Sequence, residues 1–199
     1  MKAAFLNDTE EIEIRDIDKP NLTDRDVLLK TIHAAVCSTD IKLYSGQKKV
    51  EYLELPIVLG HEVLGEVVER GPNHRRFEIG DKLMMVSGAS CGECDQCLRG
   101  RHNLCNGRNV LGYNLNGGFS EFVRIPSSMI DNGRSRVLRV PESVPDKRAV
   151  LYEPLCDVWN SVFRRSKIQP GEVVMVVGLG FMGLMIAKLA KIAGAELVL

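Results

Sequence analysis

Four of the six cysteines fall in one short stretch, Cys91-x2-Cys94-x2-Cys97-x7-Cys105. Two residues between successive ligands let one turn of chain present both sulfurs to a single ion. Four thiolates satisfy tetrahedral zinc and leave no open position. A closed site of that kind is structural, because it orders a loop that buries little apolar surface. The surrounding segment needs such a source of order. Residues 87–118 are rich in Gly, Asn and Cys and show no hydrophobic period, and an irregular segment of that length does not order itself inside a compact domain. An iron–sulfur cluster is compatible with the same spacing. Cys37 and Cys156 stand apart from the four, so the six do not form a disulfide framework. Clustered cysteines in an intracellular chain point to metal.

The cluster interrupts a series of strand signals. Residues 2–6, 11–17, Val27–Val36, 63–69, 82–86, Phe119–Ile125 and 137–140 all read as short strands bounded by turn residues. The alternation in Glu11-Ile12-Glu13-Ile14 predicts a half-buried strand, and His74 reads as a surface position. Many short strands of this kind suggest a small, partly open β-barrel. The character changes near Pro145. Residues 146–167 read as helix, broken or kinked by Pro154. Residues 172–177 form a continuous apolar run, the pattern of a strand buried on both faces. Gly178-Leu179-Gly180-Phe181-Met182-Gly183 follows, then an amphipathic helix, then the start of a second strand at 196–199. A lone Gly-x-Gly-x-x-Gly is a weak signal. Placed between a buried strand and a helix, it predicts a dinucleotide pyrophosphate loop at Gly178, Leu179, Gly180, Phe181, Met182 and Gly183. The fold class is therefore α/β, with one domain over residues 1–150 and a second beginning at 151–199.

Formal net charge is zero, which offers no field to draw in nucleic acid or an anionic membrane. No apolar run is long enough to span a bilayer, and the N-terminal apolar stretch is too short for a signal peptide, so the sequence reads as cytoplasmic.

A second metal site is suggested by residues far apart in the chain. Catalytic zinc takes about three protein ligands and keeps one position open. Cys37 and His61 offer thiolate and imidazole, Glu62 can bind directly or support the ligands, and Glu153 is a further carboxylate beside Pro154. Taken singly, His61 reads as a core histidine, Thr39 as a helix cap and Glu153 as a solvated helix carboxylate.

Taken together, these motifs resemble the zinc-containing medium-chain alcohol dehydrogenases, a family of oxidoreductases, over essentially the whole chain. The resemblance lies in Cys37-Ser38-Thr39-Asp40, Gly60-His61-Glu62-Val63-Leu64-Gly65, the four-cysteine cluster, Gly117-Gly118-Phe119-Ser120-Glu121-Phe122 and Glu153-Pro154-Leu155, in that order. The Glu-Pro-Leu version is similar to the sorbitol and threonine dehydrogenase branches, in which that glutamate takes the place of a second cysteine ligand. Cys156 lies three residues too late to substitute for it. The resemblance implies a GroES-like β-barrel catalytic domain at 1–150 and the first part of a Rossmann NAD(P)-binding domain at 151–199. It implies two zinc ions, a catalytic one on Cys37, His61 and Glu153, with Glu62 exchanging or supporting, and a structural one on Cys91, Cys94, Cys97 and Cys105. It also implies hydride transfer between NAD or NADP and a small-molecule alcohol, polyol or hydroxy amino acid, with Thr39 taking the proton from the alcohol. The family often carries a histidine three residues after that hydroxyl, and Lys42 stands there in this chain. The acid that selects NAD lies about 20 residues beyond the glycine motif, past Leu199, so NAD and NADP stay open. A doubly wound sheet needs about six strands, of which at most two are present. The expectation is the front half of a longer enzyme, inactive on its own and homo-oligomeric at full length. The competing readings are a non-catalytic zinc-binding module and a zinc-ribbon nucleic-acid binder. The latter leaves Cys37, His61 and the glycine motif unexplained.

Overall fold

Alternating aliphatic residues build the first strand, β1 (Lys2–Asp8), which pairs antiparallel with β2 (Glu11–Asp16). β3 (Val27–Ala35) follows, its first three residues buried, and then the short helix α1 (Ser38–Tyr44) and β4 (Ile57–Val58). Next come β5 (Glu62–Arg70), β6 (Lys82–Met85) and β7 (Gly88–Ala89). The cysteine-rich stretch holds α2 (Asp95–Leu98) and a 3-10 turn at His102–Leu104, and it returns through β8 (Asn109–Val110). The strands β9 (Phe122–Ile125) and β10 (Val137–Arg139) flank α3 (Ser127–Ile130), and α4 (Asp146–Ala149) follows. This computed structural model describes residues 1–130 and 137–199, in two units, Met1–Val150 and Leu151–Leu199.

Among the described residues of the first unit, one sheet runs β10-β6-β5-β3-β9 and another runs β2-β1-β4. Residues 119–121 join them: Ala4 N–H donates to Phe119 O at 2.9 Å, and Thr31 N–H donates to Glu121 O at 2.9 Å. The result is the partly open barrel that the strand spacing predicts. Its core is lined by Val27, Leu29, Val67, Leu83, Val123 and Ile125, all at most 2% exposed. Each such side chain contributes about 1.5–3 kcal/mol through removal from water.

Two expectations fail in this unit. β2 is an edge strand, and Ile12 and Ile14 are exposed rather than half-buried, because no layer among the described residues covers that face. His74 is not at the surface: it is 2% exposed. Its Nδ1 lies 2.8 Å from Arg25 O and its Nε2 accepts the Phe77 N–H at 2.9 Å, so the ring serves as a polar bolt in the core with its proton on Nδ1.

A second buried bolt is Asp26, 1% exposed. It accepts from Thr23 N at 2.9 Å, Thr23 Oγ1 at 2.7 Å, Arg124 Nε at 2.7 Å and Ser127 N at 2.8 Å. Burial pushes its pKa up, but these donors outweigh burial and hold the carboxyl below its usual range. A folded pKa below the unfolded one gives stability that is complete above about pH 4 and is lost as pH falls through the folded value. Asp26→Ala is therefore expected to cost about 3 kcal/mol in urea unfolding at neutral pH. The difference from the parent protein should shrink on acidification; a gap that is unchanged from neutral pH to pH 3 would exclude this account.

The helical stretch expected over residues 146–167 is interrupted, but ahead of Pro154: α4 ends at Ala149 and a new helix starts at Tyr152. α5 (Tyr152–Trp159) begins after Leu151, with Pro154 in its first turn, where a missing N–H costs little. The chain continues through a π-helical segment, Asn160–Ser166. Then β11 (Val173–Val174), α6 (Phe181–Ile192) and β12 (Leu197–Val198) form a β-α-β unit whose strands pair in parallel. The apolar run at 173–177 is not buried on both faces: Val173, Met175 and Val177 are 61%, 72% and 90% exposed. Among the described residues no second layer covers this two-stranded sheet. Among the described residues no helix is long and apolar enough to cross a membrane.

Candidate metal centre and active site

Strand register builds the first cluster. β3 and β5 pair antiparallel with Ala35 opposite Glu62, so the residues just past the end of β3 meet those at the start of β5. Cys37, His61 and Glu62 are brought together, and each offers a ligand atom within 4.8 Å of the others. His61 and Glu62 are buried and Cys37 is half-buried. Thiolate, imidazole and carboxylate gathered out of water make a donor set suited to zinc.

Asp40 organises this cluster. It is 3% exposed and lies in the first turn of α1. Its Oδ2 accepts the Cys37 N–H at 2.9 Å, its Oδ1 accepts the Gly60 N–H at 3.3 Å, and Oδ1 faces His61 Nδ1 at 3.3 Å. A proton on Nδ1 facing a carboxylate leaves the Nε2 lone pair for a metal. In the sequence Asp40 stands out only as the last residue of the Cys37-Ser38-Thr39-Asp40 motif.

The glycine-rich segments explain how the backbone fits here. Gly60 has φ +91°, and a Cβ on Gly117 would sit 2.2 Å from Gly60 O. Gly117 N–H donates to Val58 O at 2.7 Å and Gly118 N–H to Gly60 O at 2.8 Å, pressing residues 117–119 against the segment that leads into His61. Thr39 lies in the first turn of α1, where Cys37 and not Thr39 is the cap. Tyr113, a residue without any signal in the sequence, lies beside this cluster, its ring centroid 6.1 Å from that of His61. Burial, then the charges of Tyr52, Asp40 and Cys37, push the Tyr113 pKa up to about 12. Lys42 is exposed on α1.

The second cluster is Cys91, Cys94, Cys97 and Cys105. Its sulfurs lie 3.9 Å apart for Cys91–Cys97, 3.9 Å for Cys94–Cys105 and 3.4 Å for Cys91–Cys105. Four sulfurs around one zinc at about 2.3 Å stand about 3.8 Å apart in a tetrahedron, so the residues present fit that ion. The local electrostatics agree. The backbone N–H groups of Asn106 and Cys97 pull Cys94 down to about 6, whereas burial pushes Cys105 up to about 11. Cys94 thus favours the metal-binding thiolate, and a dication offsets the cost of burying the Cys105 thiolate.

The second unit holds the glycine loop. Gly178 has φ +95°, and a Cβ on Gly183 would sit 1.9 Å from Gly178 O. Open space surrounds the position of a Gly180 Cβ, at the N-cap of the twelve-residue α6. Close turn, small residue and helix N-terminus together make a cradle for an anion. Gly183→Ala is expected to force the turn open and cost about 1–3 kcal/mol, read as a lowered midpoint for this unit in thermal unfolding. An unchanged midpoint would contradict the close packing. Glu153 lies in the first turn of α5, in this same unit.

Residues 23–132 match the model of the alcohol dehydrogenase GroES-like domain. The chain therefore belongs to the alcohol dehydrogenase GroES-like domain family. It is 31% identical to a sorbitol dehydrogenase of Bacillus subtilis over 100% of this chain and 55% of that protein. It is 32% identical to an L-threonine 3-dehydrogenase of Aliivibrio salmonicida over 96% of this chain and 53% of that protein. Among solved structures, a protein described as a zinc-binding dehydrogenase from Sinorhizobium meliloti, bound to NADP, matches with a TM-score of 0.89. It shares 32% identity over 99% of this chain and 54% of that one. An alcohol dehydrogenase from Thermus matches with a TM-score of 0.85 and 28% identity over 100% of this chain and 57% of that one. The chain thus spans about half the length of the curated relatives it matches. The GroES-like barrel followed by the opening of a Rossmann fold is the architecture of these structural neighbours.

Proposed function

We propose that this chain carries the catalytic domain and the opening of the nucleotide-binding domain of a zinc-dependent oxidoreductase. The reaction is hydride transfer between NAD or NADP and a small-molecule alcohol, polyol or threonine-like hydroxyl. The meeting of Cys37, His61 and Glu62 on one side of Asp40 carries this reading. Sorbitol and threonine dehydrogenases among the relatives support the substrate class.

The residues divide the work. Cys37, His61 and Glu62 would hold the catalytic zinc, with Glu153 as a further ligand only as the family resemblance implies. When bound, zinc supplies a Lewis acid that makes an alcohol hydroxyl more acidic. The Thr39 hydroxyl accepts the alcohol's hydrogen bond. Asp40 keeps the imidazole of His61 in one tautomer and ties it to Cys37. Gly178 to Gly183 hold the pyrophosphate at the start of α6. Cys91, Cys94, Cys97 and Cys105 keep a second zinc that orders their loop.

The test is a panel of alcohols, polyols and threonine offered with NAD and with NADP to the full gene product, alongside its zinc content. Two zinc ions per chain and reduction of one cofactor by at least one compound are expected. Zinc held only by the four cysteines, with no cofactor reduced by any member of the panel, would leave a non-catalytic zinc module as the better reading.

A further inference from the structure

We propose that the alcohol taken by this site carries a phosphate monoester, and that Lys48 and Arg108 recognise it. The inference rests on the alcohol-oxidising reading given above and narrows its substrate class.

Two stacked aromatic rings adjoin the metal ligands. Tyr113 is 7% exposed and packs in one cluster with Leu6, Leu43, Ile57 and Leu59. Its ring centroid lies 6.1 Å from that of His61 and 5.5 Å from that of Tyr52. Each tyrosine holds a cation. Lys48 Nζ stands 5.8 Å from the centroid of Tyr113, and the guanidinium carbon of Arg108 stands 4.7 Å from that of Tyr52. The segments that bear the two cations are anchored. Lys48 N–H donates to Lys42 O at 3.0 Å, near the end of α1. Arg108 Nη1 donates to Asn103 O at 3.0 Å, and Arg108 O accepts from Asn114 Nδ2 at 3.2 Å.

An aromatic face holds a cation without cancelling its charge. Elsewhere in this unit Lys2, Arg70, Lys82, Arg124 and Arg139 each meet a carboxylate. Among the described residues Lys48 and Arg108 form no ion pair, although Glu51 and Glu54 belong to the same stretch as Lys48. Two positive charges therefore stand beside the ligand cluster without a counter-charge. Arg108 spends one of its five N–H donors on Asn103. Its planar fork matches two phosphate oxygens, and the Lys48 ammonium adds a point charge on a flexible stem. A phosphate monoester carries about two negative charges at neutral pH and balances both cations, whereas a carboxylate balances one. His61 and Lys48 adjoin the same tyrosine ring, so a hydroxyl at the ligand cluster and a phosphate at Lys48 fit the span of one small polyol phosphate.

The test offers the full gene product glycerol and sorbitol, each beside its terminal phosphate ester and its terminal carboxylate. The readout is the ratio of kcat/KM within each set. The phosphate ester is expected to exceed its neutral counterpart about 100-fold, from two charge-assisted contacts of about 10-fold each. Lys48→Met and Arg108→Met should each lower that ratio about 10-fold, chiefly through KM, and Lys48→Arg should keep most of it. Added salt should lower the ratio in the parent and lower it less in Lys48→Met. A carboxylate preferred to the phosphate ester, or a ratio in both Met variants equal to the parent's, would overturn the inference. A loss shared equally by all members of a set, together with a lowered thermal midpoint, would also overturn it, since it would give the cations a structural role. A parent protein that oxidises no alcohol brings down the function proposed above and this inference with it. A parent that oxidises neutral alcohols as readily as their phosphate esters brings down this inference alone.

Discussion

Cys105→Ser is expected to release one zinc ion per chain and to expose residues 91–108 to trypsin while the barrel stays folded. The loop has almost no core of its own. Cys97 and Cys105 are 2% and 5% exposed, but its large apolar residues Leu98 and Leu104 are 76% and 53% exposed. The order of the segment must come from elsewhere, and structural zinc in small domains contributes on the order of 10 kcal/mol or more. Losing one of four thiolates forfeits a large part of that. Cys105 is the most telling ligand to replace. Its sulfur is buried, accepts the Cys91 N–H at 3.2 Å, and stands within 3.9 Å of both Cys91 and Cys94. The damage should stay local because the loop is clamped at its base. β7 and β8 pair Gly88 with Val110 and Ala89 with Asn109, and Leu111 N–H donates to Ser87 O at 3.0 Å. Leu111 itself sits in the barrel core. Zinc release measured with a chromophoric chelator and cleavage at Arg99, Arg101 and Arg108 are the observables. A variant that keeps its full zinc content and resists trypsin at those arginines would show that the sulfurs do not order the loop.

The legible parts of this protein were those written in local chemistry. Four cysteines at ligand spacing identify their own cluster without any knowledge of the fold. The strand periods of β1, β3 and β5 and the Gly-x-Gly-x-x-Gly between strand and helix were legible for the same reason. What escaped was set by layers and partners that arise only on folding. Ile12 and Ile14 alternate as buried residues do, yet among the described residues no layer covers β2. His74 looked like a polar surface residue because nothing nearby shows that Arg25 O and Phe77 N–H would be buried beside it. Pro154 was expected to break a helix interior, but the helix starts late enough to place it in the first turn. In the site, the gathering of Cys37 with His61 depends on the register of β3 against β5, and neither segment carries that alone. Asp40 was missed as a functional residue because its partner Gly60 lies 20 positions away.

Asp40→Asn is expected to weaken zinc at the Cys37–His61 site, or turnover, by about 10- to 100-fold while leaving the zinc on the four cysteines in place. The carboxylate is surrounded by donors: Cys37 N–H at 2.9 Å, Gly60 N–H at 3.3 Å and His61 Nδ1 at 3.3 Å. A carboxylate has only acceptors and can face all three. An asparagine amide has one oxygen and one NH2, so at least one of the three donors then faces N–H. If that donor is His61, Nδ1 loses the carboxylate oxygen that faces it at 3.3 Å. The lone pair needed by the metal is then no longer fixed on Nε2. If it is Cys37 or Gly60, a buried backbone N–H is stranded, at a cost of about 1–3 kcal/mol, and the backbone that aims the thiolate or the imidazole shifts. Either outcome loosens ligands while the ligands themselves are still present, so the effect should be smaller than that of Cys37→Ala. Asp40→Glu keeps the charge but adds a methylene inside a buried first turn, and it should not restore the site. Two measurements separate these cases: zinc affinity by competition with a chelator of known strength, and turnover with the preferred alcohol. Asp40→Asn with parental zinc affinity and parental turnover would mean that the carboxylate serves only the helix start. In that event the imidazole of His61 must be held by something other than Asp40.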